Sequence, residues 1–181
     1  MAKKRHAMIA MRVGEILVDR ESNSPVIVLR GVSRPNLYLA ISVGMAEAAA
    51  IASALQGLDV LRPLTHDLLA TVLAELQAEV QVVRITDLIG GTFYAELELN
   101  DVHGHVTEVD SRPSDAIGLA LRVGARIEVN ESILREVAHL EDTVMEERSG
   151  SSSEGDHSSE QSRGAVALHG PHVRLEDLDP D

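Results

Sequence analysis

Cysteine is absent from the 181-residue chain, and so is tryptophan. The first absence excludes disulfides, thiolate catalysis, cysteine-based zinc sites and iron–sulfur clusters. The second leaves one Phe and two Tyr, an aromatic content of 2%. The core must then be aliphatic, and few rings remain on which nucleic-acid bases could stack. Lysine is confined to Lys3 and Lys4, so every cation of the body is an arginine. Arginine suits fixed, bidentate contacts better than general solvation. No apolar run is long enough to span a bilayer. Residues 1–6 are basic, but Arg12 and Glu15 interrupt the apolar stretch that a secretory signal needs, and a cytoplasmic location without membrane association is expected. Neither Gly-x-Gly-x-x-Gly nor Gly-x-x-x-x-Gly-Lys occurs, which leaves nucleotide binding by a phosphate cradle unsupported.

What is present suits one packed domain with an appendage: 44% hydrophobic and 25% charged residues. Acidic side chains number 29 against 16 basic ones, a net charge of −13. Such a chain is a poor electrostatic partner for a long duplex, because phosphate contacts need Lys and Arg. Action on nucleic acid would require a local cationic pocket. Composition changes near Arg148, after which Ser149 to Gly164 holds no aliphatic residue. That segment cannot recover its ordering entropy by burial and is expected to be disordered. The chain therefore divides into a basic arm at 1–7, a domain at 8–147 and a Ser-rich acidic tail at 148–181. Residues 149–181 carry two basic and seven acidic side chains, a balance of −5, which leaves −8 for residues 1–148.

Within the domain, Met8 to Val18 and Pro25 to Arg30 read as strands around an Asn23 turn, and Leu37 to Val43 as a third. Gly44 opens an Ala-rich helix through Gln56. Thr65 is expected to cap a second helix whose buried stripe would be Leu68, Leu69, Val72, Leu73 and Leu76. Val80 to Ile85, Thr92 to Leu99 and about His105 to Val109 read as strands. Ser111 or Ser114 is expected to cap a third helix, Asp115 to Val123, closed by Gly124. A strand at Arg126 to Val129 precedes a last helix from Glu131 to about Glu147. Hairpin-linked strands interrupted by single helices predict an α+β fold: one domain with a mixed, largely antiparallel, curved sheet and about four helices.

Two helix starts share their ingredients. Arg62, Pro63, Thr65, His66 and Asp67 form one; Asp110, Arg112, Pro113, Ser114 and Asp115 form the other. Each sets an arginine before a proline, then a hydroxyl, then a carboxylate in the first turn. Free backbone N–H groups there favour an anion. Simple capping explains the same residues, with His66 on the surface and Arg112 paired to a neighbouring acid. Glu47, on the Ala-rich helix, would face solvent or point at an arginine. Tyr94, after the Gly90–Gly91 turn, reads first as strand packing. His103 and His105 have a spacing that can bind metal, but no third ligand stands near them in sequence.

The runs at 62–69 (Arg-Pro-Leu-Thr-His-Asp-Leu-Leu), 91–95 (Gly-Thr-Phe-Tyr-Ala) and 112–122 (Arg-Pro-Ser-Asp-Ala-Ile-Gly-Leu-Ala-Leu-Arg) resemble the bifunctional nuclease (BFN) domain family. Residues 25–30 and 47–52 fit it in order and spacing, so the resemblance covers about 8–139. Residues 39–44 depart from it, lacking the proline and tryptophan usual before the first helix. The resemblance implies a nuclease acting on both RNA and DNA. DNA has no 2′-hydroxyl to act as nucleophile, so one site cutting both would use activated water. On that expectation His66 serves as acid or base, and Asp67, Asp110 and Asp115 orient groups or hold magnesium or manganese. Arg62 and Arg112 would clamp the phosphate, while Ser114, Thr65, Tyr94 and Glu47 contact substrate. A non-catalytic module that binds an anionic ligand or partner through the two Arg-Pro helix starts is the alternative, and a fold whose activity has lapsed is a third. The small side chains of the Ala-rich helix make it one expected face of a homo-oligomer.

Overall fold

The computed structural model describes residues 7–20, 22–58 and 61–137. In chain order these form β1 (Met8–Val18), β2 (Pro25–Gly31), β3 (Tyr38–Ser42), α1 (Met45–Leu55), α2 (Thr65–Glu75), β4 (Glu79–Ile89), β5 (Thr92–Asn100), β6 (Val106–Ser111), α3 (Pro113–Val123) and β7 (Arg126–Asn130). A fourth helix, α4, covers 131–137. Its expected continuation to 147, the arm at 1–6 and the tail at 148–181 lie outside the described residues.

One seven-stranded sheet runs in the order β3-β2-β1-β7-β4-β5-β6. Every pairing is antiparallel except β4 with β7. Two meanders, β1–β3 and β4–β6, each form locally through short turns. The last strand then enters between β1 and β4 and joins them into one sheet. This is the expected α+β architecture with a mixed sheet.

Side-chain alternation gives the sheet two unlike faces. Ile27, Leu29, Leu39, Ile85 and Val129 point to the helical side and pack with Ile51 of α1 and Ile117 and Leu119 of α3, all fully buried. On the opposite side Arg84 bridges Glu98 at 2.7 Å and Glu128 at 3.4 Å. The pairing register shifts in β1 between Val13 and Glu15, and in β4 between Val80 and Val82 and between Ile85 and Asp87, as at β-bulges.

α3 is the central helix. Ala116, Ile117, Gly118, Leu119 and Ala120 are all buried, and Gly124, at φ 70°, ends it in the left-handed conformation. Its N-cap is Arg112, not a serine: Ser111 Oγ donates to the Arg112 carbonyl, and Ser114 is buried in the first turn. Likewise Leu64, not Thr65, caps α2, and the Asp67 carboxylate accepts the Leu64 N–H at 2.8 Å. Pro113 explains the first shift. A proline is tolerated at the first helical position, and it starts the helix one residue before Ser114.

The expected buried stripe of α2 is corrected more deeply. Leu68, Leu69, Val72 and Leu76 are exposed, and only Leu73 of that set packs toward the core. α1 and α3 already cover the sheet, so α2 packs chiefly on α3. The side that faces α3 carries His66, Ala70 and Leu73, and the leucine-rich side is left outward.

Candidate functional site

Each of the first three helices carries a carboxylate at the third helical position: Glu47 in α1, Asp67 in α2 and Asp115 in α3. An acid there complements the free N–H groups and the positive end of the helix dipole. The packing of α1 and α2 against α3 brings all three acids to two arginines of α3 and its cap.

Arg112 is the hub. Its Nε donates to Asp115 Oδ2 at 2.7 Å and its Nη2 to Asp115 Oδ1 at 3.1 Å. Nη1 reaches across to Glu47 Oε1 at 3.1 Å. Glu47 thus takes the second of its two expected orientations, toward an arginine. The Asp115 carboxylate, then that of Glu47, raises the Arg112 pKa above its already high value. On the other side of Asp115, His66 Nε2 lies 3.5 Å from Oδ1. That is long for a hydrogen bond, so the two form a loose pair. His66 is only 8% exposed, a buried side chain where capping alone predicted a surface one.

Beside it, Arg122 Nε donates to Asp67 Oδ1, Nη1 to the Gly118 carbonyl at 2.9 Å and Nη2 to the Ala50 carbonyl at 3.2 Å. One nearly buried guanidinium therefore ties α1, α2 and α3 together. Arg122, and then the Leu64 N–H, hold the Asp67 carboxyl below the usual carboxylate range. The sequence reading missed Arg122, although it falls seven residues, about two helical turns, after Asp115 on an otherwise apolar helix. It missed Gly118 too. A Cβ there would lie 2.9 Å from His66 Nε2, so the glycine makes room for the imidazole. A glycine in mid-helix costs about 1 kcal/mol against alanine, and that was the available signal.

Other expected site residues lie elsewhere. Arg62 is exposed and forms no ion pair with another described residue. Thr65 is exposed in the first turn of α2. Ala95 and Leu97 point into the core, so Tyr94 projects from the opposite face of the sheet. Asp110, paired in register with Glu96, shares that opposite face and is separated by the sheet from the helix starts. Asp101 accepts the backbone N–H groups of His103 and His105 and pairs with the His105 ring at 3.1 Å, an ordinary turn. Among the described residues no three His, Asp or Glu side chains gather closely enough to hold a metal ion. The magnesium or manganese expectation therefore finds no ligand set among Asp67, Asp110 and Asp115. A cleft of about 570 Å³, lined in part by Leu73, Gln77, Val80 and Val123, lies toward the C-terminal end of α2 and includes none of the candidate residues.

The cluster sits in the segments that also match known proteins. Residues 27–142 match the bifunctional nuclease domain model. The chain belongs to that family. An uncharacterized protein of Mycobacterium tuberculosis is 43% identical over 130 residues, which cover 72% of this chain and 76% of the relative. Bifunctional nuclease 2 of Oryza sativa subsp. japonica is 30% identical over 118 residues, 64% of this chain and 36% of its own length. Bifunctional nuclease 1 of Arabidopsis thaliana is 31% identical over 110 residues, 59% of this chain and 34% of its own. The match thus spans about a third of each plant protein. Among the described residues of the bifunctional nuclease domain, no helix is long and apolar enough to cross a membrane.

Proposed function

We propose that this bifunctional nuclease domain protein hydrolyses phosphodiester bonds of RNA and DNA at the cluster formed by its helix starts. The observation that carries this reading is the state of Arg112. Its side chain is 66% exposed, yet Asp115 and Glu47 orient it from two sides. A guanidinium has five N–H groups, and these contacts use three. One hydrogen on each terminal nitrogen is left for a phosphate, in a fork that is already oriented. Asp115, beside that fork, takes a proton from the attacking water, and His66 behind it shares that proton. Water oxygen bonds to phosphorus, the bond to the leaving oxygen breaks, and the Asp115–His66 pair returns the proton to that oxygen. Arg122 holds the start of α2, and with it His66, against α3.

The balance of charge favours a second reading. Three carboxylates face two guanidiniums in the cluster, so directed guanidinium N–H groups rather than a net positive charge would hold an anion. A module that binds an anionic ligand or partner without turnover fits the same geometry. The test is cleavage of single-stranded RNA and DNA of one sequence by the purified full chain, with and without magnesium. The nuclease reading expects products from both, lost in Arg112→Ala and in His66→Ala with circular dichroism unchanged. Full cleavage by Arg112→Ala would refute this site. Thermal stabilisation by the oligonucleotide without product would favour the binding module.

A further inference from the structure

α2 presents its larger apolar side chains to solvent. Leu64, Leu68, Val72 and Leu76 recur every four residues in a line along the helix, between 40% and 70% exposed, and Leu61 and Leu69 lie alongside. Together they expose on the order of 600 Å² of surface, at the upper end of what a monomer usually leaves in one apolar patch. A standard interface buries about 800 Å² per partner, roughly three fifths of it apolar, so this ridge is large enough for one. We propose that the α2 ridge is the contact by which two copies of this chain pair, antiparallel and about a two-fold axis.

The charges on the ridge select a second copy over another partner. From Leu61 to Leu76 the exposed charged side chains are Arg62 at one end and Glu75 at the other. His66 is buried and Asp67 is engaged by Arg122. Neither Arg62 nor Glu75 has an ion-pair partner among the described residues. A two-fold axis between Leu68 and Leu69, the centre of the ridge, sets Arg62 of each copy opposite Glu75 of the other. Each helix N-terminus then meets the partner's C-terminus, which also aligns the dipoles favourably. The ridge is nearly free of charge on a chain of net −13, so like-charge repulsion is smallest there. The oligomer face is thus on α2 and not on the alanines of α1. Arg62, exposed and without an ion pair among the described residues, acquires a partner.

Sedimentation or light scattering of the full chain at micromolar concentration tests this. The expected mass is twice the 19.5 kDa of one chain, falling to that of one chain in Leu68→Glu and Val72→Glu with circular dichroism unchanged. Arg62→Glu should raise the dissociation constant about tenfold, and adding Glu75→Arg should restore it. A wild-type monomer would overturn the pairing, as would a dimer indifferent to Leu68→Glu. A monomer that loses thermal stability in Leu68→Glu would instead assign the ridge to another segment of the same chain. If the charge swap fails to restore association, the antiparallel register is wrong.

Discussion

The helix starts at 62–67 and 112–115 are near copies in sequence and opposites in the fold. Arg112 is held by two carboxylates, one on its own helix and one across on α1. Arg62 stands exposed, without an ion-pair partner among the described residues. The helices that follow diverge the same way. α3 buries five consecutive residues, whereas His66 is the sole buried residue of α2. A shared local pattern therefore fixes a cap and a first turn, and neighbours decide what the side chains do. α3 lies between the sheet, α1 and α2, so its start meets partners. α2 lies outermost: the arginine that precedes it has no ion-pair partner among the described residues, and its leucines other than Leu73 stay exposed.

The largest expected contrast is in activity. Arg112→Ala should lower kcat/KM on single-stranded substrate by about 10²–10³, the usual cost of removing a preorganised donor to developing charge. Arg62→Ala should change it less than about threefold. Equal losses in the two variants would mean that both helix starts act on substrate alike.

Stability sharpens the same comparison. Leu119→Ala on α3 opens a cavity in the core and should cost about 2–5 kcal/mol by denaturant unfolding. Leu68→Ala on α2 should cost only about 0.5 kcal/mol at protein concentrations too low for pairing. A Leu68→Ala cost above that of Leu119→Ala would place the ridge inside a core. Gly118→Ala comes next. Its methyl group would strike the His66 ring, so a loss of about 1–3 kcal/mol is expected despite the better helix propensity of alanine. A stabilised Gly118→Ala variant would show that His66 is free to move off α3.

The smallest effect is with pH. Arg122 depresses the Asp67 carboxyl in the folded state. Its contribution is present above the pKa of the unfolded chain and is lost as pH falls through the lower, folded value. Thermal melts of wild type and Asp67→Asn should differ near neutrality and converge in strong acid. A gap that persists at low pH would assign Asp67 a role other than its charge.

Much of this was legible in the residues. The turns at Asn23 and Gly90–Gly91, the helix-ending Gly124 and the alternation of strands with single helices follow from short-range sterics and hydrogen bonding. Those effects act within a few residues and leave a local pattern. The segments 62–69 and 112–122 also stood out, because an arginine, a proline and an acid at one helix start are more than a cap requires.

What local pattern could not carry was which side of α2 faces inward. Leu68, Val72 and Leu76 make as good a buried stripe as any, and α2 turns them outward because α1 and α3 already cover the sheet. The same limit hid the place of β7 between β1 and β4, the separation of Asp110 from Asp115 by the sheet, and the reach of Arg122 to the Ala50 carbonyl. The chain by itself determined its elements, its aliphatic core and its acid-bearing helix starts. Tertiary packing alone decided that Glu47 and His66 meet the local Arg112–Asp115 pair. Their contacts join residues dozens of positions apart, and only the competition of whole faces for one buried side of the sheet selects them.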